Sequence, residues 1–382
     1  MTQITRTRHL VALEGLEHGR LHLRTPEGQQ YQFGSTGPEA DIEIRDWSVL
    51  ARLAARGNVG LGEAWINGQW HGSSLENVLA LMLRNAAPDW SAPGPFSALR
   101  GRLAGRVLRR ATRAPGWAGN EFFQLWLDPG MSLSGALFAE GDDLAAAQAR
   151  KNARIISRLS PGKRLLDISG QWGSFAEAAA GSGYHVTTLA GNAAQKGYAD
   201  ARLDGRAQVA LQPLARAVRH PQSYGAFNNI VAIEALETLP ERDWPAFFSL
   251  IKANLAPGGR AIVQSVTVPD AEFSMHRSRA DLVRQHLMSG GVLPCNATIM
   301  RDAAGAGLSL RAQHDFGADY ALTCRMWRAQ LQDKTERLQQ LGYSSRFLRG
   351  WQFYLEGCAA AFAAARMDVV QFELSHTAEA QS

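Results

Sequence analysis

Asp167, Ser169, Gly170, Gln171 and Gly173 are the residues whose types and spacing point most directly to chemistry. They lie in Leu165-Leu-Asp-Ile-Ser-Gly-Gln-Trp-Gly173, where an apolar strand enters a short glycine-bearing loop and a small-residue helix, 174–181, follows. An α/β fold builds a nucleotide-shaped pocket at the carboxyl end of its first strand in this way. Close approach of backbone to a bound cofactor calls for residues without a Cβ, here at 169, 171 and 173. Gly173 meets that demand and Ser169 is small, whereas Gln171 carries a long side chain toward the ligand's space. Two readings stay open: a pocket of reduced affinity, or an inherited fold element that no longer holds its ligand.

Other chemistry-bearing residues are sparse. Cys295, Cys324 and Cys358 are widely spaced, with no CxxC pair and no His/Cys cluster, so free thiols are expected and no metal site. Residues 96–113 carry arginines at 100, 102, 106, 109, 110 and 113 and no acid, with Leu99, Leu103 and Val107 at i, i+4, i+8. A basic amphipathic helix of this kind suits an anionic membrane surface. A linker helix with its stripe packed on its own protein and its arginines solvated suits the pattern equally. The net charge of +5 admits anionic partners. Residues 1–21 are charged throughout and lack an apolar h-region, and no apolar run reaches membrane-spanning length. The expectation is a cytoplasmic protein, peripheral at the inner membrane face.

The elements that must position these residues follow from periodicity. Residues 1–90 predict a small α+β domain, with two alternating runs around Pro26-Glu-Gly28, a run at 40–44, and a helix begun by Asp46. A basic, proline-broken linker covers 91–118. From 119 to 382 strands alternate with helices: strands at 164–168, 184–189, 229–233 and 260–266, helices at 144–159 and 243–255. That alternation predicts an α/β class with a doubly wound, mostly parallel sheet. Aromatic-rich helical stretches at 282–288, 327–341 and 345–365 are expected to cover it as a lid or an acyl-chain tunnel.

Several segments then carry a resemblance. They are Glu121-Phe-Phe-Gln-Leu-Trp-Leu-Asp-Pro-Gly-Met131, the loop at 165–173, Trp244-Pro-Ala-Phe-Phe248 and Leu255-Ala-Pro-Gly-Gly259. Further along come Gly290-Gly-Val-Leu-Pro294, Asp315-Phe-Gly-Ala-Asp-Tyr320 with Trp327, Arg346-Phe-Leu-Arg-Gly-Trp-Gln-Phe-Tyr-Leu-Glu-Gly-Cys358, and Gln371-Phe-Glu-Leu-Ser375. In order and spacing they resemble the cyclopropane-fatty-acyl-phospholipid synthases and mycolic acid cyclopropane synthases over nearly the whole chain. The resemblance implies a Rossmann-like class I methyltransferase fold, S-adenosylmethionine as methyl donor, and a double bond in a phospholipid acyl chain as acceptor. It also implies a bound bicarbonate that removes a proton from the methylated carbocation.

Residue by residue, the resemblance places Ser134, Asp167, Ser169, Gly170, Gly173 and Gln195 at the donor, with Gly170 where the family has Cys. It places Glu237, Gln264, Tyr320 and the Gly135 backbone at bicarbonate, with Val266 beside them. Departures from the family gather around the donor: Pro115-Gly-Trp117, Leu133, Gln171, Ala190-Gly-Asn192 and Pro213. The leading expectation is methyl or methylene transfer giving a cyclopropane, methyl-branched or furan-type chain. The rivals are a lipid-binding paralogue or partner subunit of an active synthase, and an enzyme on the same acyl chain that has abandoned the donor. A homodimer is compatible with either. No nucleic-acid substrate is expected, because the catalytic motifs of such enzymes are not evident.

Overall fold

The computed structural model describes residues 13–85, 118–221, 224–278 and 292–377. The arginine-rich stretch 96–113, residues 115–117, the segment 282–288 and Gly290-Gly291 lie outside the described residues. Two compact units emerge: one gathers 13–85 with 327–364, the other 118–221, 224–278, 292–326 and 365–377.

The first unit is built on a four-stranded sheet in the order β2-β1-β3-β4. β1 (Arg20–Arg24) and β2 (Gln30–Gly34) form an antiparallel hairpin, β3 (Glu39–Ile44) runs parallel to β1, and β4 (Trp70–His71) closes the edge. The alternating Leu21, Leu23, Ala40, Ile42 and Ile44 turn one face inward. Helix α1 (Ser48–Ile66) starts two residues after Asp46, whose carboxylate accepts from the Ser48 N–H at 2.9 Å. Helix α2 (Leu75–Arg84) is capped by Ser74, which accepts from the Asn77 N–H. The sequence assigned the aromatic helix near residue 350 to the large sheet, but it packs here, against α1 and α2. Phe353 joins the core of this unit, and Arg349 lies 4.3 Å from the Trp65 ring while donating to the Trp65 carbonyl.

The second unit carries a seven-stranded sheet in the order β10-β11-β9-β8-β5-β6-β7. Its strands are β5 (Arg164–Asp167), β6 (His185–Ala190), β7 (Gln208–Leu211), β8 (Phe227–Ile233), β9 (Leu255–Thr267), β10 (Leu308–Asp315) and β11 (Asp368–His376). β7-β6-β5-β8-β9 pair in parallel, and β11 is antiparallel to both β9 and β10. The doubly wound sheet is thus the expected one, with an antiparallel insertion that the sequence reading did not place. Buried Leu165, Leu166, Ile230, Val231, Ile262 and Val263 show why the central strands read as apolar runs: both faces are covered.

Strand order reverses between β5 and β8, so the loops leaving their carboxyl ends face one crevice. Helices α4 (Leu144–Ser157) and α5 (Ser174–Gly181) line it, and α3 (Asn120–Gln124), α6 (Ala193–Leu203) and α7 (Gly317–Asp333), the last up to Met326, belong to the same unit.

Candidate active site

The loop after β5 is organised by Asp167, which is buried. One carboxylate oxygen accepts from the Ser169 N–H (3.1 Å), the Ser169 hydroxyl (2.6 Å) and the Gly170 N–H (3.4 Å). The other accepts from the Thr188 hydroxyl of β6 at 2.8 Å. Burial pushes the carboxyl up while these donors pull it down. Gly170 has φ 53°, and a Cβ there would overlap the Leu189 carbonyl oxygen. Gly173 has φ 85° and starts α5. Gln171 holds the left-handed φ of 35° without being glycine. Its amide turns across to the neighbouring loop, donating to the Leu133 carbonyl and accepting from the Leu133 N–H, both at 3.4 Å. Trp172 donates to Asn120 Oδ1 at 2.8 Å and fixes the loop to α3.

The loop 131–138 has no regular structure, so side chains must satisfy its backbone. Asp128 accepts from the Gly130 and Ser132 N–H groups, Thr323 of α7 from Ala136, and Asp319 from Phe138. Gln148 of α4 donates to the Ser134 carbonyl at 2.7 Å. One turn further, Lys151 sends its ammonium to the Ser134 hydroxyl and to Gln148 Oε1, each at 2.7 Å. Lys151 is 1% exposed. Desolvation lowers it to about 8, opposed by the charges of Glu234 and Asp128. Beside it, buried Asn152 has an Oδ1 without a partner. Ser134, Lys151, Asn152, Asp167, Ser169 and Gln171 all line one small cleft, whose wall also includes Ile233.

One residue beyond Ser134 and one beyond Ile233 a second cluster forms. Glu234 ends β8 with a φ of 50°. One of its carboxylate oxygens accepts from the Gly135 N–H and from Gln264 Nε2, each at 2.9 Å, and the other from the Tyr320 hydroxyl at 2.7 Å. The Tyr320 ring lies where a Cβ on Gly135 would be, 2.5 Å from the nearest ring carbon. The direction of the Gln264 amide is fixed from outside. Arg154 of α4 can only donate, so Gln371 presents its oxygen to it, and Gln371 Nε2 then donates to Gln264 Oε1 at 2.9 Å. Gln264 and Gln371 face each other by strand register, and both are fully buried. Desolvation raises the Glu234 carboxyl, opposed by these donors and by Lys151. Glu237 accepts from the Val266 N–H, while its second oxygen is buried without a partner. Burial, and then the Glu234 charge, push Glu237 up to about 8.

Gly135, Gln264 and Tyr320 therefore converge, but on Glu234, where the resemblance places Glu237 and an exogenous anion. The left-handed turn at residue 234 swings its side chain into their midst. Ser134, Asp167, Ser169 and Gly170 line the cleft together, and Gly173 starts the helix behind them. Gln195 does not line this cleft; its Oε1 accepts from Asn192 Nδ2 at the cap of α6. Glu234, Lys151, Asn152 and the Arg154–Gln371 pair were missed. For α4 a signal was available, because Gln148, Lys151, Asn152 and Ile155 fall on one buried helix face where polar residues demand a reason.

Comparison with known proteins fits this geometry. Residues 112–372 match the family described as mycolic acid cyclopropane synthetase. The chain belongs to that family. It is 26% identical over 374 residues to the tuberculostearic acid methyltransferase UfaA1 of Mycobacterium tuberculosis, covering 89% of this chain and 84% of the relative. It is 27% identical over 353 residues to the cyclopropane-fatty-acyl-phospholipid synthase of Escherichia coli K12, covering 89% of each. The crystal structure of mycolic acid cyclopropane synthase CmaA1 complexed with SAH and CTAB superposes with a TM-score of 0.60 at 25% identity, over 67% of this chain and 94% of that one. The fold is that of the class I S-adenosylmethionine-dependent methyltransferases, and the family's members are enzymes of that kind.

The residues present fit the amino-acid end of such a donor. A zwitterion needs an acceptor for its ammonium and a cation for its carboxylate. The unpartnered Asn152 Oδ1 and the Lys151 ammonium supply them on one wall.

Proposed function

We propose that this protein is an S-adenosylmethionine-dependent enzyme that adds a methyl-derived carbon to the double bond of an unsaturated acyl chain in a phospholipid. The observation that carries the reading is the adjacency of two sites. Ser134 and Ile233 line the donor cleft, and the next residues, Gly135 and Glu234, form the carboxylate cluster. The activities for which the relatives are named supply the acceptor: a tuberculostearic acid methyltransferase and a cyclopropane-fatty-acyl-phospholipid synthase.

S-adenosylmethionine, when bound, supplies an electrophilic methyl group. The protein's part begins with Lys151, Ser134 and Asn152 holding the amino-acid end and with the Asp167-organised turn setting the depth of the cleft. Methylation of an alkene leaves a carbocation on the acyl chain, which a carboxylate cluster stabilises and can deprotonate. A membrane-surface location and the passage for the acyl chain belong to the same proposal.

Calorimetry with S-adenosylmethionine and S-adenosylhomocysteine tests the donor, and fatty-acid analysis of cells with and without the gene tests the product. A saturable donor isotherm and a modified chain that disappears with the gene are expected. Absence of any heat at millimolar donor would end the methyltransferase reading.

A second reading, a paralogue that binds lipid without the donor, rests on Gln171, which lines the cleft and whose amide bonds across to the Leu133 backbone. Gln171→Gly separates the two. Its bonds to Leu133 are long and therefore weak, and glycine relieves the positive φ. The variant is expected to bind the donor about tenfold more tightly. No binding by either protein favours the paralogue.

A further inference from the structure

We propose that the Glu234 carboxylate is the base of this site, so that the reaction takes no carboxylate or bicarbonate from solution. The proposal rests on the methyl-transfer reading above. Three donors from three separate elements meet on this one side chain: the Gly135 N–H of the loop, Gln264 of β9 and Tyr320 of α7. Such a convergence is a built carboxylate site, and it is filled by the chain itself. Its orientation is imposed at long range, since the Arg154–Gln371–Gln264 relay leaves only N–H to face residue 234.

The backbone carries a penalty for the arrangement. A left-handed φ of 50° on a non-glycine residue is strained and persists where the surroundings over-determine it. A glutamate kept at a position that favours glycine is explained by what its carboxylate does. The charged and titratable groups around it agree. Lys151 acts on it as a cation, and Tyr320 donates to it. Glu237 is pushed up to about 8, while the three donors on Glu234 and the Lys151 charge act to favour the ionised form of Glu234 against its burial. A further anion among these groups would meet the Glu234 charge with its donors already engaged.

The step balances without a co-reactant beyond the donor. The alkene π pair forms the new C–C bond, the leaving pair stays on sulfur, and the acyl chain becomes a carbocation. Glu234 then takes a proton from a carbon beside the cationic centre or from the new methyl group. The C–H pair closes a double bond in the first case and a cyclopropane ring in the second, and Glu234 ends as a carboxylic acid.

Chemical rescue tests this. Glu234→Gly vacates the carboxylate at a φ that glycine prefers, so the variant folds. Glu234→Gln keeps the volume and removes the charge. Turnover in carbonate-depleted buffer is expected to match that in bicarbonate for the wild type and to fall about 10²–10⁴-fold in both variants. Added formate should restore Glu234→Gly and leave Glu234→Gln unchanged. Independently of turnover and donor, 13C-formate and 13C-bicarbonate NMR should show saturable binding to Glu234→Gly and none to the wild type. A wild type that binds bicarbonate, or loses turnover without it, overturns the proposal. So does a Glu234→Gly protein that is fully active with no carboxylate added. Donor calorimetry on the same three proteins reports separately on the methyl-transfer reading, and the anion-binding arm stands whatever its result.

Discussion

At the scale of single residues, two buried charges define the site. Lys151 is held 1% exposed by Ser134 and Gln148, at an expense in desolvation that lowers it to about 8. A buried ammonium with two neutral partners and one N–H to spare is suited to a carboxylate ligand. Lys151→Met should therefore weaken donor binding by roughly 10–100-fold, the worth of a charge-assisted hydrogen bond. Calorimetry reads this directly, and unchanged affinity would leave Lys151 with a packing role only. Glu237 titrates in the opposite sense. Its folded value of about 8 lies above the ordinary carboxyl value of 4.5, so between these the folded state holds a proton that the unfolded state releases. Stability accordingly falls as pH rises through that window. Glu237→Gln keeps an acceptor for the Val266 N–H and removes the titration. Its melting temperature should equal that of wild type near about pH 5 and exceed it by several degrees near about pH 8. A constant difference across that range would contradict the assignment.

At the scale of elements, the site is made by three chain segments that are irregular by necessity. The turn after β5 must pass under the β6 backbone, which is why residue 170 has no side chain. Gly170→Ala would add a Cβ into the Leu189 carbonyl at a positive φ, a destabilisation of roughly 2–4 kcal/mol. Denaturant unfolding checks it, and a loss below about 1 kcal/mol would mean the turn can shift. The family's Cys at this position is therefore not a neutral exchange in this chain. The loop 131–138 is held by α4 and α7 through Gln148, Asp319 and Thr323. β9 and β11 contribute register: only because Gln264 faces Gln371 does the amide relay end on Glu234.

At the scale of the whole molecule, the chain joins a methyltransferase unit to a smaller sheet unit that also gathers the helices after Trp327. No described helix is long and apolar enough to cross a membrane. Under the proposed reading, an acyl chain in a phospholipid is reached from the bilayer surface, and we propose that the arginines at 102, 106 and 109 serve that contact. Replacing all three by Gln should weaken binding to vesicles containing anionic lipid, with a reduced dependence on salt. Equal vesicle binding by both proteins would end the surface-anchor idea. Much of the fold was legible in the chain, because apolar runs at strand length and capped helices are local signals. Strands β10 and β11 were not read. Leu308-Ser-Leu-Arg-Ala-Gln313 and Val370-Gln-Phe-Glu-Leu-Ser375 do alternate apolar with polar residues, but their antiparallel pairing with each other and with β9 joins segments distant in sequence, and buried Gln371 and Glu373 are held by Arg154 and Arg158. Of the site, the turn from Asp167 to Gly173 was visible, since glycine demand is a property of local backbone. Glu234 was not, because a side chain's direction depends on the φ of its own residue and on donors supplied from distant elements. The sequence by itself determined the family, the doubly wound sheet and the place of the glycine-bearing turn after β5. Which carboxylate the converging donors serve was decided only by tertiary structure, through a left-handed residue at the end of β8 and a strand register that no local pattern records.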